Sequence, residues 1–164
     1  MKSFITTKLD GGKLEISVHA LTQMLAFVQK TPQKKEAGGV LLGRYILESL
    51  DIVIDDITVP MKGDRRRRFD FFRHFFRHQE VIDQTWLNTK GTTTYLGEWH
   101  THPENIPTPS NVDFKNWKRQ LQENIISGDE LYFIILGIDA LRIWEFSRRS
   151  LSHQLIGELR YPEQ

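Results

Sequence analysis

The longest nearly unbroken apolar run in this chain is Leu131 to Ile138, followed almost at once by a second, Leu141 to Phe146. The first is far short of the ~20 residues that a membrane-crossing helix needs. Two such runs separated only by Asp139-Ala140 predict a β-hairpin instead. Met1 to Asp10 holds no apolar stretch long enough for a secretory signal. The expectation is a soluble, cytoplasmic protein without a membrane partner. At 164 residues the chain predicts a single domain, 1–164, burying roughly 70% of the surface its unfolded chain exposes.

The remaining elements follow from periodicity and punctuation. Leu14 to Ile16 reads as a short strand. From Ser17 the apolar spacing of Leu21, Met24, Leu25 and Val28 is helical, with Thr31-Pro32 expected to end the helix. Val40 to Gly43 and Ile52 to Ile54 predict two adjacent antiparallel strands joined near Glu48 to Asp51. Met61 to Arg68 reads as a polar loop, and Phe69, Phe71 and Phe72 as a strand or the approach to one. His78 to Lys90 reads as a helix with Val81, Ile82, Thr85 and Trp86 on one side, stopped by Gly91. Thr92 to His102 is a Thr-, Tyr- and Trp-rich strand, and Ser110 to Glu123 a further helix. Strands and helices in this order give an α+β fold.

Composition removes several chemistries. Cysteine is absent, so disulfides, thiolate metal sites and cysteine nucleophiles are excluded. Lys+Arg 22 against Asp+Glu 21 leaves a formal charge of +1, which argues against nucleic acid as a partner.

The chemistry concentrates in Trp99-His100-Thr101-His102-Pro103 and Ser110-Asn111-Val112-Asp113. Residues two apart on a strand share a face, so His100 and His102 project together. Pro103, Pro107 and Pro109 stiffen the connection to Ser110, and Asp113 is the candidate for a third ligand returned beside the two imidazoles. Two His and one carboxylate suit a catalytic zinc, which keeps a fourth position for water. A base near that water is also needed. Glu36, before Gly38-Gly39, fits if the strand that follows lies beside the histidine strand, and Glu98, which shares the parity of His100, is its rival. Other readings of the same residues stand beside these. Ser110 and Asp113 also spell a capping box, and His-x-His alone is weak.

The joint pattern resembles the JAMM motif of the MPN+ metalloproteases: Glu36, then His100-Thr101-His102-Pro103, then Ser110-x-x-Asp113, with Glu36 to Gly43 similar to the family's first motif strand. The resemblance runs from about Ser17 to Phe146. It implies an MPN (cytidine-deaminase-like) domain with a curved mixed sheet flanked by helices. It implies one zinc per chain, held by His100, His102 and Asp113. Glu36 would act as general base and then acid, and Ser110 would stabilise the oxyanion. The implied activity is cleavage of peptide or isopeptide bonds at the C-terminus of ubiquitin-like modifiers.

Gly63-Asp64-Arg65-Arg66 and Tyr95-Leu96-Gly97-Glu98-Trp99 are similar to the small bacterial JAMM proteins that accompany E1- and E2-like enzymes in CBASS antiphage operons. The likeness implies a deconjugase that releases a CD-NTase C-terminus from target proteins. The alternatives are a peptidase or amidase acting on small peptides or sulfur-carrier proteins, and a non-catalytic MPN scaffold. A substrate tail is expected to run beside the strand ending at His102 and to bond an exposed edge. The seven Lys and Arg between Lys62 and Arg77 read as a solvated loop or as a docking surface for an acidic partner.

Overall fold

The computed structural model describes residues 2–124 and 126–162. In chain order the elements are β1 (Phe4–Thr7), β2 (Lys13–Ile16), α1 (Val18–Leu25), β3 (Gly38–Tyr45), β4 (Ile52–Ile57), β5 (Arg65–Arg66) and β6 (Phe71–Phe72). They continue with α2 (Phe75–Asn88), β7 (Thr94–Thr101), α3 (Asn111–Glu123), β8 (Glu130–Leu136), β9 (Ala140–Ser147) and β10 (Ser152–Arg160). The expected α+β class and mixed sheet are observed.

Eight strands form one sheet in the order β1-β2-β4-β3-β7-β8-β9-β10, and β5 and β6 form a separate ribbon. β2 with β4 and β7 with β8 pair in parallel, and the other neighbours are antiparallel. The sheet curls until its edges meet, where Thr6 Oγ1 on β1 donates to the Ile156 carbonyl on β10. Inside the curl, α1 covers a cluster that includes Leu21, Met24, Ile54, Trp99, Leu136 and Ile143. A second cluster lies on the outer face, where Trp117 and Leu121 of α3 pack on Val40, Phe133 and Trp144.

The parallel pair β7–β8 requires a crossover, and α3 provides it. The first turn of α3 is thereby delivered beside the C-terminal end of β7. β3 runs antiparallel to β7 with Gly38 opposite His100, which brings Glu36 to that same end. Gly97 makes the bulge in β7 possible. Its φ is +142°, and a Cβ there would lie 1.8 Å from the Tyr132 carbonyl oxygen. Because of the bulge, Tyr95 and Glu98 both serve the outer face while Leu96 and Trp99 fill the inner one.

Several expectations need correction. β7 lies between β3 and β8, so no free edge runs beside the histidines. α1 stops at Leu25, short of Thr31-Pro32, because the Lys34 ammonium reaches back to the Ala26 and Val28 carbonyls and satisfies groups that a longer helix would have used. α2 starts at Phe75, before His78. β1 and β10 are additional. β10 has no fully buried residue, so its sequence lacks the alternation that marks a strand.

Candidate metal centre and its groove

His100 sits on β7 and His102 just beyond it, where the His102 N–H continues the ladder to the Leu136 carbonyl. The two Nε2 atoms are 3.0 Å apart. Asp113, in the first turn of α3, places Oδ1 3.2 Å from His100 Nε2 and Oδ2 3.3 Å from His102 Nε2. One ligand atom from each residue lies within 4.8 Å of the others. Tetrahedral zinc with bonds of 2.0–2.1 Å sets its ligands roughly 3.3 Å apart. The donor set, two imidazoles and a carboxylate converging at that spacing, therefore fits such a cation.

The capping box and the ligand cluster share one carboxylate. Ser110 N–H donates to Asp113 Oδ2 at 2.7 Å, and Asp113 N–H donates to Ser110 Oγ at 3.1 Å. The cap fixes Asp113 rather than competing with the cluster. With its oxygen accepting, the Ser110 hydroxyl proton is left to point elsewhere, and Ser110 lines the groove. Burial acts to raise the Asp113 carboxyl, but His100, His102 and the Ser110 N–H hold it well below the ordinary range. Burial likewise opposes charge on His102, yet Asp113, Glu36 and Glu104 lift its imidazole above its usual value.

Glu36 is only 5% exposed. Burial pushes its carboxyl up to about 8, Asp113, Asp70 and Glu104 push the same way, and His102 opposes them. Its backbone is held at both ends: the Glu36 N–H donates to the Arg67 carbonyl at 2.7 Å, and Arg66 Nε donates to the Glu36 carbonyl at 2.8 Å. Glu98, the rival base, is engaged by the Arg73 guanidinium, which donates to its Oε1 through both Nε and Nη2.

The cluster forms the floor of a groove of about 710 Å³. The β5–β6 ribbon supplies one wall through Arg65, Phe71 and Phe72, and α3 supplies the other through Val112, Asn116 and Arg119. Phe69 and Phe75, 73% and 50% exposed, stand at the rim. Two supporting residues escaped the sequence reading. Glu104 Oε2, which accepts the Thr108 N–H at 3.0 Å, lies 3.5 Å from His102 Nδ1 and places a negative charge on the ring's far side. Thr101 Oγ1 accepts from the Ala37 N–H at 3.0 Å and so ties the Glu36 segment to β7. The His-Pro-Glu order at 102–104 was the available signal for Glu104. A threonine on a strand gives none.

Prokaryotic homologs of the JAB domain match residues 17–148. The chain belongs to this family. Among curated relatives, a "CD-NTase/cGAS isopeptidase" of Vibrio cholerae is 36% identical over 119 residues, covering 73% of this chain and 72% of the relative. One of the same name from Pseudomonas aeruginosa is 39% identical over 106 residues, 65% and 66% of the two chains. A solution structure of a Desulfitobacterium hafniense protein matches in fold with a TM-score of 0.56 at 17% identity, covering 88% of each chain. The recognised family and the mixed-sheet fold agree with the motif reading. Among the described residues, no helix is long and apolar enough to cross a membrane.

Proposed function

We propose that this protein is a zinc-dependent isopeptidase that cuts the bond between the C-terminal carboxyl of a conjugated protein and a target amine. The observation that carries this reading is the convergence of His100, His102 and Asp113 beside a buried Glu36 on the floor of an open groove. One zinc per chain, held by these three side chains, would supply a Lewis acid and a water of lowered pKa. Glu36 would take the proton from the attacking water and deliver it to the departing lysine nitrogen as the C–N bond breaks. A carboxyl pushed up by burial is suited to return that proton, and a dication beside it draws the same group toward its ionised, accepting form. The Ser110 hydroxyl would donate to the oxygen that gains charge at the carbonyl.

The relatives' names support a CD-NTase tail as the substrate, with a ubiquitin-like tail as the broader class. The role is reversal of E1/E2-type conjugation in cytoplasmic antiphage defence. A groove about 710 Å³ in volume favours an extended tail over a small amide.

The test is a conjugate built with a CD-NTase and its E1/E2-like enzyme, incubated with wild type or with Glu36→Gln and followed by mass spectrometry. Wild type is expected to release an intact C-terminus, while Glu36→Gln and chelator-treated protein do not. Cleavage of free peptides alone would move the substrate to small molecules. Conjugate cleaved equally by Glu36→Gln would remove Glu36 from the chemistry, and zinc-loaded protein that cleaves neither substrate would leave a scaffold.

A further inference from the structure

Outside the groove lies a buried polar chain that the proposed mechanism does not use. Val40 N–H donates to Thr58 Oγ1 at 2.8 Å, and Thr58 Oγ1 meets His78 Nδ1 at 2.6 Å. His78 Nε2 faces Asp64 Oδ2 at 3.0 Å. The Asp64 carboxylate only accepts, so Nε2 carries a hydrogen toward it, while the Thr58 oxygen takes the Val40 N–H and its hydroxyl faces Nδ1. His78 is 0% exposed, as is the Asp64 side chain, and Thr58 is 3% exposed. Sealed from solvent, and with no place on the groove lining, this Thr-His-Asp row is no second nucleophile.

Its position gives it another use. Asp64 Oδ2 accepts the Met61 N–H and Oδ1 accepts the His74 N–H, both at 2.7 Å. Met61 and His74 are the two roots of the segment that carries β5 and β6. One carboxylate therefore closes the base of that flap, and His78 ties the closure to Thr58. Thr58 is itself fixed to the sheet: its N–H donates to the Val40 carbonyl at 3.0 Å, and its carbonyl accepts Trp99 Nε1 at 2.9 Å, one residue before His100. At the flap's other end, Arg66 and Arg67 hold the carbonyl and N–H of Glu36. The path from Asp64 to Glu36 is continuous through main-chain bonds.

We infer that Asp64, His78 and Thr58 form a clasp that fixes the β5–β6 flap and, through it, the position of Glu36 over the metal ligands. They are positioning residues. Buried ionisable pairs add little net stability compared with apolar residues of similar volume, but a satisfied network holds one geometry. The catalytic side of this inference rests on the isopeptidase reading above. The structural side does not.

The experiment compares Asp64→Asn, His78→Phe and Thr58→Val with wild type, each loaded with zinc. Hydrogen exchange is read at the amides of Glu36, Met61 and His74 and at those of β8, bound zinc is counted, and kcat and KM are measured on the conjugate. A clasp predicts roughly tenfold or greater loss of protection confined to Glu36 and the flap roots. It also predicts zinc still at one per chain and kcat lowered about tenfold or more per loaded molecule. Protection lost equally in β8 would mean general destabilisation and overturn the inference, as would wild-type exchange at Glu36 in all three variants. Flap protection lost with kcat unchanged would overturn the positioning role. If wild type releases no C-terminus, the functional reading fails alone, and exchange at the flap still decides the clasp. Thr58→Val is nearly isosteric and provides the folded test if the other two do not fold.

Discussion

The two faces of the curled sheet carry opposite assignments. The inner face is mostly apolar and closed: α1 lies across it, the sheet edges meet around it, Ile54, Leu136 and Trp99 are at most 1% exposed, and buried Glu145 of β9 is satisfied by the Leu9 N–H. The outer face is half-finished. α3 seals its own side with Trp117 and Leu121, but the apolar residues that α2 adds, Val81 and Ile82, are only partly buried, and the gap between α3 and the flap is the groove. Glu36, the Asp64–His78 pair and the Arg73–Glu98 pair all lie on this outer side. Apolar burial on one face holds the scaffold, so the other can keep charged groups whose burial opposes folding.

Breaking the outer face alone gives the largest expected effect. Glu36→Gln preserves shape and removes the titrating group. Turnover is expected to fall by about 10²–10⁴-fold, with zinc retained at wild-type stoichiometry and the unfolding midpoint not lowered. Kinetics together with metal analysis checks both halves. Ile54→Ala inverts the experiment. It should cost about 2–5 kcal/mol in urea unfolding, as deletion of a buried aliphatic side chain does, while kcat per zinc-loaded folded molecule stays at the wild-type value. Loss of kcat in Ile54→Ala without loss of stability would mean that the faces are coupled through β4 rather than divided in labour.

The same division decides what was legible in the sequence. The hairpin β8–β9, the α3 boundaries and the strand carrying His100 follow from strong local signals: long apolar runs, a capping box, and a Thr/Tyr/Trp-rich stretch ended by proline. The cluster of His100, His102 and Asp113 followed from strand parity and a stiff connection. Other features depended on tertiary structure. The early end of α1 is made by Lys34, eight and six residues after the carbonyls it binds. β10 is an edge strand with half-exposed residues and shows no alternation to read. The flap ribbon was hidden in an arginine run because Arg66 and Arg68 are spent on the Glu36, Thr31 and Pro32 carbonyls, not on solvent. His78 gave no sign that it is buried, since its partners Thr58 and Asp64 are 20 and 14 residues away.

Protonation sharpens the comparison further. In metal-free protein the folded state holds a proton on Glu36 up to about 8, whereas the unfolded carboxyl releases it near 4.5. Between those values the folded state binds more protons, so this contribution to stability falls as pH rises. His102, raised above 6.5, stabilises below that value, and its contribution is lost in the same direction. Asp113 acts at the other end: its depressed carboxyl stabilises above 3.8 and loses that contribution as the solution is acidified. Chelator-treated wild type should therefore unfold at lower urea at about pH 9 than at about pH 6, and Glu36→Gln should show a shallower decline. Identical slopes would mean that Glu36 is solvated in the metal-free protein.

The smallest expected effect separates the two duties of Asp113. Asn can still accept the Ser110 N–H through its amide oxygen, so Asp113→Asn should keep the helix cap while weakening zinc binding. Asp113→Ala loses the ligand and the partner of the Ser110 N–H, while its own N–H still donates to Ser110 Oγ. The stability difference between the two variants, measured without metal, should be about 1 kcal/mol, the usual net worth of one hydrogen bond. The relief of charge between Asp113 and Glu36 is common to both substitutions and cancels in that difference. Zinc affinity should fall in each, and more in Asp113→Ala, since an amide oxygen remains a weak ligand. Equal stability of the two metal-free variants would show that the Asp113 carboxylate is held by the histidines and not by the cap. Equal zinc affinity of Asp113→Asn and wild type would leave His100 and His102 to hold the metal without it.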